Sequence, residues 1–396
     1  MIGTRGVPAA YGGFETAIEE VGSRLAERGH EVIVYCRNAA DPVPEYKGMQ
    51  LVHLPALRSK AIETLSHTAL SAVHSLLHRP VDAAFVFNAA NAPFLPLLRR
   101  RRVPVVVHVD GLEWKRGKWG PNGRRYYRAA EQLSVRWADA LIADARGIAQ
   151  YYQDEFAVPT ELIAYGAPIN TVPATNRLAE LGVSAHGFHV LVARFEPENH
   201  VAEIVEGYSA SAARLPLLVV GSAPYSAGYT ERVKAAAERD PRITLLGGVY
   251  DQELLDQLYG GALTYLHGHS VGGTNPSLLR AMGAGTAVIA YDVGFNREVA
   301  GDDAGYFSDP GSVARELERA ERDSAETVRA GAALRDRAAL LYDWDAVADG
   351  YEQLASRVAA GHSTRGLSRG RRRSSAGSDR AAMVTTDDMS RTEGAR

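Results

Sequence analysis

Two doubly wound α/β domains in series are the architecture this sequence predicts. Three observations carry the prediction. Short apolar runs of strand length alternate with longer runs of helical period through most of the chain. That rhythm breaks once, over residues 167–187, and then resumes. The 396 residues suffice for two domains of ordinary size, and 46% hydrophobic with 23% charged residues is a composition that buries a core in each.

In the first half, "TAIEEVGSRLAERGHE" spaces its apolar residues for a helix with a glycine-containing stop, and "VIVYCR" follows as a strand. "DAAFVFNA", "VPVVVHVDG" and "ADALIAD" are further apolar runs closed by polar residues or glycine, as parallel strands joined by helices require. "APINTVPATNRLAELGVSAHG" reads as a connector with a short helix. The alternation then repeats. "FHVLVARF", "LPLLVVGSA", "RITLLGG", "ALTYLHG" and "TAVIAYD" are predicted strands, and "HVAEIVEGYSAS", "YTERVKAAAERD", "QELLDQLYG" and "PSLLRAMGAG" the helices between them. The reading is a first domain over 1–166, a connector over 167–187, a second domain over 188–340, a closing helix over 341–358 and a tail over 359–396. The tail is rich in Ser, Arg and Gly, has no apolar repeat, and is expected to be disordered. At the other end only Met1 and Ile2 precede Gly3, too few for a full strand before a glycine-rich turn, so either the natural start lies upstream of Met1, the favoured reading, or the first strand is very short.

A net charge of -3 supplies no global field toward nucleic acid, and no nucleic-acid partner is expected. The single Cys36 excludes an intramolecular disulfide and a cysteine-based zinc cluster. It suits a reducing compartment, and without a bilayer-spanning run or a signal peptide a cytoplasmic location is expected. In "LLRRRRVP", Arg99, Arg100, Arg101 and Arg102 stand beside leucines, a pattern that suits either a solvated helix end or peripheral contact with anionic lipid of the inner leaflet. His267 and His269 lack a compact third ligand and read as hydrogen-bonding residues at a strand end, so no metal is expected. The oligomeric state is left open.

Two loops invite an anion. Gly12 and Gly13 precede a helical run, where free amides and close backbone approach favour phosphate, although the spacing is not that of a dinucleotide fingerprint and a plain tight turn fits as well. In the second half, Gly272, Gly273, Thr274 and Asn275 lead into Pro276, a suitable first residue of a helix, and Ser277 follows with its hydroxyl. One such loop per domain implies a ligand between the domains. Arg194 in "VARFEPENH" lies at a strand end, where its rigid donor fork suits a diphosphate. The segment "HVDGLEWKRGKWG" gathers His108, Asp110, Glu113, Trp114, Arg116, Lys118 and Trp119, a set that fits a sugar ring and equally a packed loop. Asp110 is the first candidate for a base near an acceptor and Glu113 the second.

These segments, "GTRGVPAAYGGFET", "VDGLEWKRGKW", "APINT", "ARFEPEN", "HGHSVGGTNPSLLRAM" and "FNREV", resemble the large retaining glycosyltransferase family that includes sucrose and glycogen synthases, in particular its bacterial polysaccharide rhamnosyltransferase-like branch. The resemblance extends through most of residues 1–358. It implies the GT-B fold, two facing Rossmann-like domains with parallel sheets, a metal-independent transferase without cofactor, and a nucleotide diphosphate sugar as donor. It also implies a glycan or lipid-linked glycan as acceptor, with the donor against the second domain. On that pattern Asp110 and Arg194 are the catalytic candidates; Gly12, Gly13, Gly273, Thr274, Asn275, Ser277, Arg280 and Glu298 the donor-side candidates; and His108, Glu113, Trp114 and Arg116 the acceptor-side candidates. Two departures stand out. Asn199 occupies the place where the wider family has a lysine five residues after the arginine, and Gly272 and Arg280 occupy the places of two glutamates eight residues apart. A guanidinium only donates, so Arg280 is not equivalent to a carboxylate that accepts from ribose hydroxyls. A noncatalytic nucleotide-sugar or glycan-binding protein is the alternative these departures leave open.

Overall fold

The computed structural model describes residues 1–9, 12–38, 42–57, 62–78, 81–109, 111–117, 119–171, 174–222 and 227–367. The first domain opens with α1 (Gly13–Glu27), which buries Ala17, Ile18, Val21 and Leu25 along one helical stripe. Strands β1 (Ile33–Arg37), β2 (Glu45–Tyr46) and β3 (Met49–Leu54) follow, then α2 (Glu63–Leu77), β4 (Ala84–Phe87), α3 (Leu95–Arg99), β5 (Val105–Val109), α4 (Pro121–Trp137), β6 (Ala140–Ala143), α5 (Arg146–Phe156) and β7 (Glu161–Leu162). Val105, Val106, Val107 and Val109 are all fully buried, which is why β5 reads as an unbroken apolar run rather than an alternation.

Strands β4, β5, β6 and β7 pair in parallel in that order, and β1 pairs in parallel with β3, which carries the antiparallel β2 on its edge. The first two residues join these sheets. Ile2 bridges Val86 in parallel, the Met1 amino group donates to the Ile33 carbonyl at 2.7 Å, and the Tyr35 amide donates to the Met1 carbonyl at 3.1 Å. Burial pushes that amino group down to about 5.

The second domain contains β8 (His189–Val192), α6 (Val201–Ser209), β9 (Leu217–Val220), α7 (Ala227–Ala237), β10 (Ile243–Gly247), α8 (Gln252–Gly261), β11 (Thr264–His267), α9 (Pro276–Gly283), β12 (Ala287–Tyr291), α10 (Gly294–Ala300), β13 (Gly305–Phe307), α11 (Pro310–Arg322) and α12 (Ser324–Leu341). Its six strands lie in the order β10-β9-β8-β11-β12-β13, all parallel. Between the domains, a single turn of 3₁₀ helix at Leu178–Leu181 covers Gly261.

After α12 the chain returns. Helix α13 (Trp344–Ala359) lies against α1 of the first domain, where Arg24 pairs with Asp345 at 2.8 Å and Arg28 with Glu352 at 2.8 Å. Trp344 packs over Gly166, leaving no room for a side chain there. One helix encoded at the far end of the sequence thereby packs on the first domain.

Candidate active site

Strand order locates the site before any side chain does. Counted from one within its domain, the second sheet runs 3-2-1-4-5-6, so the order reverses between β8 and β11. Ligands of such sheets bind outside the carboxyl ends of the strands at that reversal. The segments leaving those two ends are Arg194–His200 and Gly268–Asn275, both singled out by the sequence.

The two segments hold each other. Ser270 donates its amide (2.9 Å) and hydroxyl (3.1 Å) to the Glu198 carbonyl, and His200 Nδ1 lies 2.8 Å from the Gly268 carbonyl. Asn199 is buried and donates to the carbonyl of Arg194 at 2.8 Å. An asparagine therefore stands at the lysine-like position as a brace for the turn that carries the arginine, and it brings no second charge. Arg194 itself is exposed, with no ion pair or side-chain hydrogen bond among the described residues.

Asn275 caps α9. Its side-chain oxygen accepts from the Ser277 amide at 2.9 Å and the Ser277 hydroxyl at 2.7 Å, and Tyr265 donates to the same hydroxyl at 3.0 Å. His267 and His269 stack with ring centroids 4.5 Å apart. Burial drives His267 down to about 3 and is the main cause that holds His269 well below its ordinary range. A Cβ on Gly117 would lie 3.7 Å from the Glu198 carboxylate, so the segment that follows Arg116 of the first domain reaches the turn that carries Arg194 in the second.

The loops that the sequence assigned to separate domains meet across the crevice. A Cβ on Gly111 would lie 2.5 Å from Cα of Gly272, one on Gly13 would lie 3.2 Å from Pro276, and one on Gly273 would run into the Asp144 carboxylate. The glycines permit this approach. Thr274 donates its hydroxyl to the Asp144 carbonyl at 2.5 Å. Gly12, with φ of 124°, precedes α1, and the Glu15 carboxylate folds back over it to accept the Arg5 amide at 3.1 Å.

On the first-domain wall most charges are engaged. Glu113 is buried, accepts from the Trp119 indole at 3.2 Å and pairs with Arg116 at 2.7 Å. The Arg128 guanidinium lies 4.6 Å from the Trp114 ring centre. His108 is buried among Phe14, Phe87 and Tyr165, its Nδ1 2.7 Å from the Tyr351 hydroxyl of α13, and burial lowers it to about 3. Its Nε2 has no hydrogen-bond partner among the described residues. Asp110 lies outside the described residues.

Two donor-side candidates are engaged elsewhere. The Glu298 carboxylate accepts from the Arg146 amide at the start of α5, both oxygens at 3.2 Å, and so ties the domains together. Arg280 directs its fork to α8, with Nε donating to Asp256 at 2.9 Å and Nη2 to Gln252 Oε1 at 3.1 Å. Sequence reasoning missed Asp144, Arg146 and Tyr351. The first two end and follow "ADALIAD", where the carboxyl-end rule alone would have marked them.

Two facing doubly wound domains with a crevice at their strand carboxyl ends define the GT-B fold, and the chain has it. Residues 185–337 match the family model for glycosyl transferases group 1, and residues 1–168 match a domain of unknown function, DUF1972. Among solved structures, sucrose-phosphate synthase from Thermosynechococcus elongatus is similar with a TM-score of 0.77 at 20% identity, over 88% of this chain and 94% of that one. HepE of Anabaena in complex with UDP-glucose gives 0.69 at 15% identity, over 89% and 98%. The UDP-forming α,α-trehalose-phosphate synthase from Burkholderia vietnamiensis gives 0.68 at 12% identity, over 86% and 98%. Among curated proteins no sequence matches the chain. Among the described residues no group of three or more metal-ligating side chains forms a site, and no helix is long and apolar enough to cross a membrane.

Proposed function

We propose that this protein is a retaining glycosyltransferase that moves a hexosyl or deoxyhexosyl group, rhamnosyl being the favoured case, from a nucleotide diphosphate sugar to a cell-surface glycan or lipid-linked acceptor, without a metal. The observation that carries the proposal is the meeting of loops from opposite domains, Gly111 against Gly272 and Gly13 against Pro276, at the strand ends that carry the exposed Arg194 and the capped start of α9. The ligands named for HepE, UDP and UDP-glucose, support a donor of this class.

In this reading the diphosphate lies between Arg194, the Gly273 backbone and the start of α9, where preorganised positive charge stabilises the leaving group. The bond from the anomeric carbon to the diphosphate oxygen breaks as the acceptor oxygen bonds to the same face of the sugar. The departing diphosphate takes the acceptor proton, so configuration is retained. Arg116, Trp114 and the residues around Asp110 form the acceptor side, with Glu113 orienting Arg116. Arg280 contributes by holding α9 to α8, and Glu298 by holding α10 to α5.

The test is calorimetry of the full chain with dTDP-rhamnose, UDP-glucose, UDP-galactose and GDP-mannose, then turnover with lipid-linked glycans and NMR assignment of the product anomer. Selective donor binding and a retained anomer are expected. Folded protein that binds none of the four would sink the reading. Asn199 in place of a second cation favours one other reading, a noncatalytic sugar-nucleotide binder, which would bind a donor and release no nucleotide with any acceptor.

A further inference from the structure

Helix α2 is folded with its polarity reversed. The residues it buries are His67, Thr68, Ser71 and Ala72. Leu70, Val73 and Leu77 are instead 43%, 41% and 67% exposed, and their i, i+3, i+7 spacing aligns them as one stripe. Ile62, 44% exposed at the start of the helix, extends it. Single exposed leucines are ordinary, but an aligned row on one helix face marks a surface that something covers.

Positive charge stands on the neighbouring helix. Helix α3 packs against α2 and runs out into Arg100, Arg101 and Arg102, all exposed and without ion pairs among the described residues. From Thr64 to Arg102 the sequence sets Arg79, Arg99, Arg100, Arg101 and Arg102 against a lone carboxylate, Asp82. The end of the fold arrives at the same corner. The Thr364 amide donates to the Asp139 carbonyl at 2.7 Å, and the Ser363 hydroxyl to one Asp139 carboxylate oxygen at 2.9 Å, while the other holds Arg99 at 2.5 Å. From there the sequence continues through Arg365, Arg369, Arg371, Arg372 and Arg373 and meets no acidic residue before Asp379.

We infer that this corner of the first domain is a docking surface for an anionic phospholipid bilayer. The α2 stripe enters the boundary between headgroups and acyl chains, and the arginines engage lipid phosphates. Reversible attachment needs both signals, since a short apolar row or a basic cluster alone binds weakly. A protein partner would place charge-depleted, shape-matched surface against the leucines. Arginines at the end of the helix packed against α2, without ion pairs among the described residues, favour lipid instead. The inference is independent of the catalytic reading and stands if that fails.

The experiment is flotation of the full chain with phosphatidylcholine vesicles, with and without phosphatidylglycerol, at low and high salt. Recruitment is expected only with phosphatidylglycerol and is expected to fall as salt rises. Arg100→Gln/Arg101→Gln/Arg102→Gln is expected to weaken it on the order of 100-fold, at roughly fivefold per arginine. Leu70→Ser/Leu77→Ser is expected to weaken it about tenfold. Unaltered melting temperatures would show that the variants fold. Equal recruitment to vesicles lacking phosphatidylglycerol, or full recruitment of the first variant, would overturn the inference. So would self-association that Leu70→Ser/Leu77→Ser abolishes in a chain that binds no vesicle.

Discussion

The two walls of the crevice are built from similar residues held in different states. On the first-domain wall, Glu113 is shared between Trp119 and Arg116, and His108 is sealed beneath Tyr351. On the second-domain wall, Arg194 is exposed and, among the described residues, unpaired, while Asn199 braces the turn that carries it. The contrast separates charges already used within the crevice from that of Arg194, which has no partner among the described residues. Charge with no partner inside the protein is what a diphosphate can use at no cost to the fold.

The strongest way to break this comparison is Arg194→Ala. Turnover is expected to fall about 100- to 1000-fold, as when one preorganised donor to a leaving group or oxyanion is removed. The melting temperature should stay near that of the parent, because no ion pair is lost. Steady-state kinetics and a thermal melt read the two together. Full turnover in the variant would place the diphosphate elsewhere.

Gly111→Ala tests the seam between the walls. Its Cβ would meet the Gly272 backbone at 2.5 Å, so the domains have to part slightly or tilt. Because both loops line the crevice, kcat is expected to drop about tenfold, as a small misplacement of reacting groups commonly costs. Donor affinity read by calorimetry should change less. A variant with the parent kcat would mean that the seam is open during turnover.

Much of this was readable in the sequence, and the unreadable parts share a cause. Parallel strands such as Val105–Val109 and Leu217–Val220 announce themselves because burial on both faces demands continuous apolar side chains. Glycine loops announce themselves by composition. That Gly13 meets Pro276, or that Thr274 reaches Asp144 130 residues away, is a property of packing and has no local signal. The same holds for His108, whose partner Tyr351 lies 243 residues downstream. Its strand position was readable; its enclosure was not. Helix α2 went unread because the face it buries, His67, Thr68, Ser71 and Ala72, is made of polar and small residues that give no core signal, and β2 and β3 because two to six residues beside a turn carry little periodicity. Asn199 looked like a missing charge, since a role as a brace for its own loop depends on a turn the sequence does not display.

Acid sharpens the comparison through the histidines. His108 and His267 are both held near 3 by burial, against an ordinary value of 6.5, so the folded protein keeps them neutral where the unfolded chain takes up protons. Their contribution is complete above about pH 6.5 and is lost progressively as pH falls toward 3, by about 1.4 kcal/mol per histidine per pH unit. Urea unfolding at a series of pH values should give a shallower acid slope for His267→Gln than for the parent. Parallel slopes would mean that this imidazole is protonated in the folded state.

The smallest effect is expected at Arg280, the residue whose place in the sequence was most anomalous. Its guanidinium pairs with Asp256, which is 53% exposed, and lies 5.3 Å from the Tyr259 ring centre. A half-solvated ion pair contributes at most about 1 kcal/mol and a cation over an aromatic ring a comparable amount. Arg280→Ala is therefore expected to lower the melting temperature by a few degrees and to change donor affinity less than about threefold. Arg280→Glu should cost more stability, because it would set a second carboxylate beside Asp256, again with little change in donor binding. A tenfold loss of donor affinity at an unchanged melting temperature would show that the guanidinium leaves α8 for the nucleotide when donor binds. The second-domain wall would then hold two unspent cations in its working state, and Asn199 would no longer mark a missing charge.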